Sequence, residues 1–286
     1  MMSPQRFVLN FAAPSQRGQV GRLTQILEQH GAYIEQFSVF DDNRCQFFYL
    51  RSVFYIENPA FDLNALQNEY HEFLTAQNAA GHIWDANEAV KVLIMVSKTD
   101  HCLNTLIAAS KLGALNMDIV GIASNHLDLK PIADHHNIPY YHLPVNAETR
   151  ARQEQQIIDL KTQLDAEFVV LARYMQVLSN ATCQVLQKQA INIHHSFLPG
   201  FRGAKPYEQA YERGVKLIGA TAHFVTPDLD EGPIIEQAVE RVDHAYSPED
   251  LLRTGRHSES VVLERALKSV LERRVFTNGE RTVILR

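Results

Sequence analysis

The sequence predicts an α/β protein of two unequal units, a small βαββαβ unit followed by a larger, doubly wound and mostly parallel sheet. Two observations carry that expectation. Up to about residue 87, aromatic and β-branched stretches alternate with helix-period segments, and from residue 90 short apolar runs alternate with amphipathic ones. Length agrees, because 286 residues exceed one ordinary domain and fall short of three. Hydrophobic residues at 45% and charged residues at 21% supply a core for each unit.

In the small unit, residues 6–12 (RFVLNFA) alternate as a strand does. Gly18 then precedes a segment reaching His30 in which Val20, Leu23, Ile26 and Leu27 share one helical face. Residues 32–41 and 44–56 are strand-like and separated by Asp42-Asn43, which predicts a hairpin. A helix from Phe61 to about Ala79 and a short strand at 82–84 complete the ferredoxin-like order, ending near Asn87.

In the larger unit, the buried-type strand KVLIMVS precedes a helix from about Cys102 to Leu112 and a second apolar strand at 117–124. Similar strands recur at 138–143, 167–173 and 191–193, with a charged amphipathic helix over 149–164. Residues 215–225 and 233–242 read as two more strands. Ser247-Pro248-Glu249-Asp250 then has the cap, proline and acidic first turn that open a helix reaching about Arg274. The tail is a hairpin around Asn278-Gly279. No repeat or low-complexity linker intervenes, so units of 1–87 and 88–286 joined by a short hinge between Ala86 and Lys91 are expected.

Composition excludes several classes of function. The net charge is -6 and no Lys/Arg run is dense enough for a basic stripe, so no nucleic-acid partner is expected. Cys45, Cys102 and Cys183 are odd in number and far apart, which speaks against a disulfide framework or a CxxC metal site. The N-terminus lacks the pattern of a signal peptide, and no apolar run approaches the ~20 residues that span a bilayer. A cytoplasmic chain without a membrane partner is the expectation.

The stretch that carries chemistry is INIHHSFLPGFRGAKP (191–206), where a strand runs into polar residues and a Pro/Gly-rich loop. Ligand sites in open α/β sheets lie at such carboxyl ends of strands. Period-2 geometry points Asn192 and His194 to one side, so an amide and an imidazole converge on one small group. In HFVTPDLDEGPII (223–235), Asp230 precedes a Glu-Gly-Pro turn between two strands and can close over the first motif. A carboxylate facing His194 would fix its tautomer. These three types suit acyl transfer from nitrogen, with two donors on the carbonyl oxygen and a carboxylate orienting the nucleophile. Neither a metal nor a covalent nucleophile is required.

Other polar residues have plainer readings. His194 alone would be an ordinary structural histidine at a strand end. Its company makes it catalytic. His135 and His136 sit at a helix end, where cations are common, and read as surface residues. Asp100 and His101 either begin a helix cap or stand near the mouth of the site. Residues 148–163 form a solvated helix face with i,i+4 pairs. Phe47, Phe48, Tyr49, Phe54 and Tyr55 read as core and subunit-interface aromatics.

INIHHSFLP with GFRGAKP, followed by GATAHFVTPDLDEGPII, resembles the signature of the folate-dependent formyltransferases over roughly residues 90–286. The resemblance implies Asn192, His194 and Asp230 as the catalytic set acting on the N10-formyl group of tetrahydrofolate. It also implies that LARYMQVLS (171–179) lines the pterin pocket around Met175, Gln176 and Leu178, with Thr226 on the loop opposite. Within that family the chain looks most like the formyltetrahydrofolate deformylases, which pass the formyl group to water. The loop SKTDHCL (97–103) has no glycines with which to wrap a phosphate, as the ribonucleotide transferases do. His195 stands where transferases carry proline, either as a hydrogen-bonding support or as a bar to the transferase substrate. The N-terminal unit resembles an ACT domain, although Ser15 in APSQRGQV (13–20) replaces its expected Asp.

The resemblance implies supply of formate for purine synthesis, balance of one-carbon folate pools, and no cofactor beyond the folate substrate. It further implies a glycine or methionine effector at the ACT-like unit and a homotetramer or dimer. An amine-directed formyltransferase and a non-enzymatic amino-acid sensor are the alternatives.

Overall fold

The structure is a computed structural model that describes residues 4–196 and 206–286. The expected Pro/Gly-rich loop at 200–206 lies, apart from its last residue, outside the described residues. The chain forms two compact units: residues 1–89 with 272–278 and 283–286, and residues 90–271 with 279–282.

The first unit runs β1 (Gln5–Pro14), α1 (Gln19–Gln29), β2 (Tyr33–Asp42), β3 (Phe47–Ile56), α2 (Leu63–Ala76) and β4 (Ala80–Asp85). Its antiparallel sheet has the order β2-β3-β1-β4, the ferredoxin-like arrangement. Alternate residues Phe7, Leu9 and Phe11 of β1 pack against Leu23, Ile26 and Leu27 of α1 and Leu66, Tyr70 and Phe73 of α2. The Asp62 carboxylate caps α2 by accepting from Asn64 N and Ala65 N. The hairpin turn is longer than the Asp42-Asn43 pair suggests. Asp42 Oδ1 accepts from Arg44 N, and Gln46 turns back at φ +52°.

The larger unit runs β5 (Val90–Val96), α3 (His101–Lys111), β6 (Met117–Ser124), α4 (Lys130–His135), β7 (Tyr140–His142), α5 (Arg150–Gln163) and β8 (Phe168–Leu171). It continues through α6 (Asn180–Val185), β9 (Ala190–His194), α7 (Pro206–Glu212), β10 (Leu217–Phe224), β11 (Ile234–Arg241) and α8 (Pro248–Leu271). Sequence periodicity does not reveal α6 and α7, because six and seven residues are too short to show a helical face. The sheet order is β11-β10-β9-β8-β5-β6-β7. The β7, β6, β5, β8 and β9 strands are parallel, and β10 and β11 are antiparallel additions. Chain order reverses beside β5, so the carboxyl ends of β5, β8 and β9 open one crevice.

β12 (Val275–Asn278) and β13 (Arg281–Ile284) close the chain as a hairpin. Chain order places this tail with the larger unit, but Phe276 and Leu285 bury themselves with Tyr49 and so join most of it to the first.

Candidate active site

The three parts of the crevice are set by local structure. Antiparallel pairing of β9 with β10 places His223 directly across from Asn192 and Thr221 across from His194. Asn192 Nδ2 then lies 3.2 Å from His223 Nε2, and His223 Nδ1 lies 2.9 Å from the Phe224 carbonyl oxygen. A carbonyl oxygen only accepts, so Nδ1 carries the proton it donates and Nε2 accepts from the Asn192 amide. That bond fixes the amide rotamer and leaves the second Nδ2 hydrogen free for another acceptor.

His194 is 6% exposed. Its Nδ1 lies 3.2 Å from Asp230 Oδ2, while its Nε2 is buried with no hydrogen-bond partner among the described residues. Asp230 Oδ1 stands 3.7 Å from His223 Nε2. Burial alone would raise the Asp230 carboxyl, but the hydrogen bond from His194 holds it well below the usual carboxylate range. Asp230 is therefore an ionised group throughout the neutral range.

Its placement depends on an unusual turn. Asp230 itself adopts φ +58°, a conformation costing a non-glycine residue roughly 1–3 kcal/mol. Two residues on, Gly232 packs so closely that an added Cβ would stand 1.7 Å from the Phe224 carbonyl oxygen. Phe224 N donates to Pro233 O, and the β10–β11 register shifts at Ala222/His223. The chain thereby returns over the end of β9 instead of leaving it.

Asn192, His194, His195 and Asp230 line a cavity of about 310 Å³, together with Met175, Gln176, Leu178 and Thr226. Leu178 is buried, and the side chains of Met175 and Gln176 are exposed at the rim. The segment from 173 to 179 is tied from behind. Met175 N donates to Ser97 Oγ at 3.0 Å, and that hydroxyl donates to Asn125 Oδ1. Arg150 Nη2 donates to the Val177 carbonyl, and Glu154 accepts from Ser179 and Thr182. The loop after β5 thus contributes its first residue as a support for this wall.

Neither Asp100 nor His101 caps α3 with its side chain. His101 instead turns inward, its Nε2 2.7 Å from Glu259 Oε2. Glu259 is 1% exposed, receives Tyr207 Oη at 2.8 Å and lies 3.3 Å from Arg173 Nε. Burial would raise its carboxyl, yet the His101 bond and the Arg173 charge pull it below its ordinary value. His101, Cys102 and Glu259 hold donor atoms within 4.8 Å of one another, as a metal site would. Their chemistry is that of an ion-pair cluster, because Arg173 already faces the carboxylate and burial pushes the Cys102 thiol up to about 12. His135 and His136 stay at the end of α4, where His136 Nδ1 meets Lys111 Nζ.

Sequence reasoning misses His223, Arg173 and Glu259. Glu259 does leave a signal, a carboxylate in the same helical stripe as Leu251, Gly255 and Leu263.

Residues 90–267 match the family described as formyl transferase, so the fold and the site together define an enzyme of that class. Over 281 residues the chain is 44% identical to a formyltetrahydrofolate deformylase of Corynebacterium sp. strain P-1, covering 98% of each. It is 40% identical to that of Escherichia coli strain K12, with both chains covered completely. A crystal structure of the Burkholderia mallei formyltetrahydrofolate deformylase superposes with a TM-score of 0.95 at 52% identity, covering 99% of this chain and 100% of that one. The chain belongs to the formyltetrahydrofolate deformylase family.

The packing at Gly232 leads to a test. Gly232→Ala is expected to displace Asp230 and lower kcat by at least ~10²-fold while leaving the circular dichroism spectrum intact. Wild-type kcat in that variant would show that the turn does not position the carboxylate.

Proposed function

We infer that the enzyme hydrolyses 10-formyltetrahydrofolate to formate and tetrahydrofolate, with no cofactor beyond that substrate. One observation carries the reading: Asn192, with a free Nδ2 hydrogen, and His194, whose buried Nε2 has no hydrogen-bond partner among the described residues, line the same cavity beside an ionised Asp230.

The amide and the imidazole hold the formyl oxygen as it gains charge. His194 stands with Nδ1 against Asp230, and its Nε2 is the group that faces that oxygen. Asp230 presents its second oxygen to a water and orients it toward the formyl carbon. Addition of water forms a C–O bond, the C–N10 bond breaks, and N10 leaves with one of the water protons. Burial first, then the charges of Arg173 and His194, push His195 down to about 4, so it stands beside the site uncharged at neutral pH. Met175, Gln176, Leu178 and Thr226, which line the cavity, are the residues proposed to enclose the folate.

Incubation with 10-formyltetrahydrofolate alone is expected to release formate stoichiometrically with tetrahydrofolate, and Asn192→Ala to lower kcat by about 10²- to 10³-fold without unfolding. Release only on addition of an amine would identify a transferase, and no reaction at all would leave an amino-acid sensor.

Two further readings concern the small unit. Ser15 Oγ donates to Asp41, and Ser15 N donates to Gln46 O, so the loop after β1 is tied to the β2–β3 turn, and a glycine or methionine effector site at this loop, altered by Ser15 in place of the expected Asp, is the reading to be tested. Titration calorimetry should register heat with one of these amino acids, and none with both would remove the effector. β2 is an open sheet edge carrying exposed Tyr33, Val39 and Phe40. Such an edge pairs readily with its own copy about a two-fold axis. A homo-oligomer, dimer or tetramer, built through this edge is expected, and Val39→Lys with Phe40→Glu should elute as a smaller species on sizing. An unchanged elution volume would exclude that edge. No helix among the described residues is long and apolar enough to cross a membrane. The cytoplasm, where reduced folates and free thiols persist, is the compartment that fits.

A further inference from the structure

The catalytic cavity is also lined by Arg173, a cation that the hydrolytic steps leave unused. Arg173 follows β8 at φ +65°, in the left-handed region where glycine would be the unstrained choice. Its side chain is 15% exposed. One edge of the guanidinium faces protein: Nε is buried, without a hydrogen-bond partner, 3.3 Å from Glu259 Oε2. No described residue accepts a hydrogen bond from its terminal nitrogens, Nη1 and Nη2.

Glu259 is itself rigidly placed. His101 Nε2 and Tyr207 Oη hold its two oxygens, at 2.7 and 2.8 Å. Gly255, one helical turn earlier on α8, makes room for the Tyr207 ring, since a Cβ there would stand 2.2 Å from its Cζ. The guanidinium is therefore oriented by a buried carboxylate and open to the cavity at its far edge.

An open guanidinium edge matches a carboxylate, which accepts two parallel N–H bonds from it. The two fates of a formyl group differ at this point. Transfer to an amine yields a neutral formamide, whereas transfer to water yields formic acid, which loses its second water-derived proton and becomes formate. Only the hydrolytic outcome produces a carboxylate inside the cavity.

We propose that Arg173, oriented by Glu259, forms a carboxylate subsite in the catalytic cavity that binds formate as it is produced. The subsite rests on the hydrolytic reading for its physiological ligand, but not for its capacity to bind the anion. The neighbouring His195 carries no competing positive charge at neutral pH. Asp230, an ionised carboxylate on the same cavity, repels the product and favours its location at Arg173.

The test is a titration of the full chain, free of folate, with ¹³C-formate followed by NMR. Saturable binding displaced by nitrate, a trigonal anion of similar shape, is expected. Arg173→Met should weaken it by about 10- to 100-fold, the effect of losing hydrogen bonds to a charged group. Arg173→Lys keeps the charge without the fork and should fall between the two. The far-ultraviolet circular dichroism spectrum reports that each variant is folded. Absence of saturable formate binding to the wild-type chain overturns the subsite, as does equal affinity in wild type and Arg173→Met. Should Arg173→Met fail to fold, unchanged affinity in Arg173→Lys overturns it instead, and weakened affinity supports it. Formate release from 10-formyltetrahydrofolate is measured separately, so failure of the hydrolytic reading is distinguishable from failure of the subsite.

Discussion

The antiparallel pairing of β9 with β10 is the constraint on which the site depends. It sets Asn192 against His223 and His194 against Thr221, and so decides which donor is held and which is left free. A shift of one residue would turn Asn192 and His194 to the opposite face of the sheet. The same pairing delivers the turn after β10 to the mouth of β9, where the close packing of Gly232 on Phe224 brings Asp230 to His194. One ladder thus orients an amide, leaves an imidazole nitrogen unpartnered and supplies its carboxylate.

A buried carboxylate, Glu259, and a partly buried one, Asp230, accompany this arrangement. Removing one partner of a buried ion pair typically costs about 3–5 kcal/mol, because the other charge is left uncompensated. Asp230 is held by His194, and Glu259 by His101, Tyr207 and Arg173. Arg173 and Asp230 both sit at positive φ as well. Arg173 and Asp230, which line the same cavity, thus combine charge with backbone strain. The remainder of the larger unit, with its apolar β5, β6 and β8, is ordinary parallel-sheet core.

Much of the fold is visible in the sequence because its signals are local. Residues 6–12 alternate along a strand that proves to be Gln5–Pro14, and Leu23, Ile26 and Leu27 recur at helical spacing on a buried face, whereas Val20 of the same pattern is exposed in the first turn of α1. Where elements are too short for a period, as in α6 and α7, the pattern is silent. The tail shows a different limit: Asn278-Gly279 announces a hairpin, but nothing local reveals that Phe276 and Leu285 pack on Tyr49.

The sequence by itself determined that Asn192 and His194 lie on one side of a strand end, and that Asp230 lies in a turn between two later strands. These follow from the two-residue repeat of a strand and from the turn chemistry of Glu-Gly-Pro. Tertiary structure alone decided who meets whom. His223 orients Asn192 only through the register of β9 with β10, and His101 reaches Glu259 across 158 residues of chain. Such contacts are set by the order and alignment of strands and helices, which no periodicity within a single element contains.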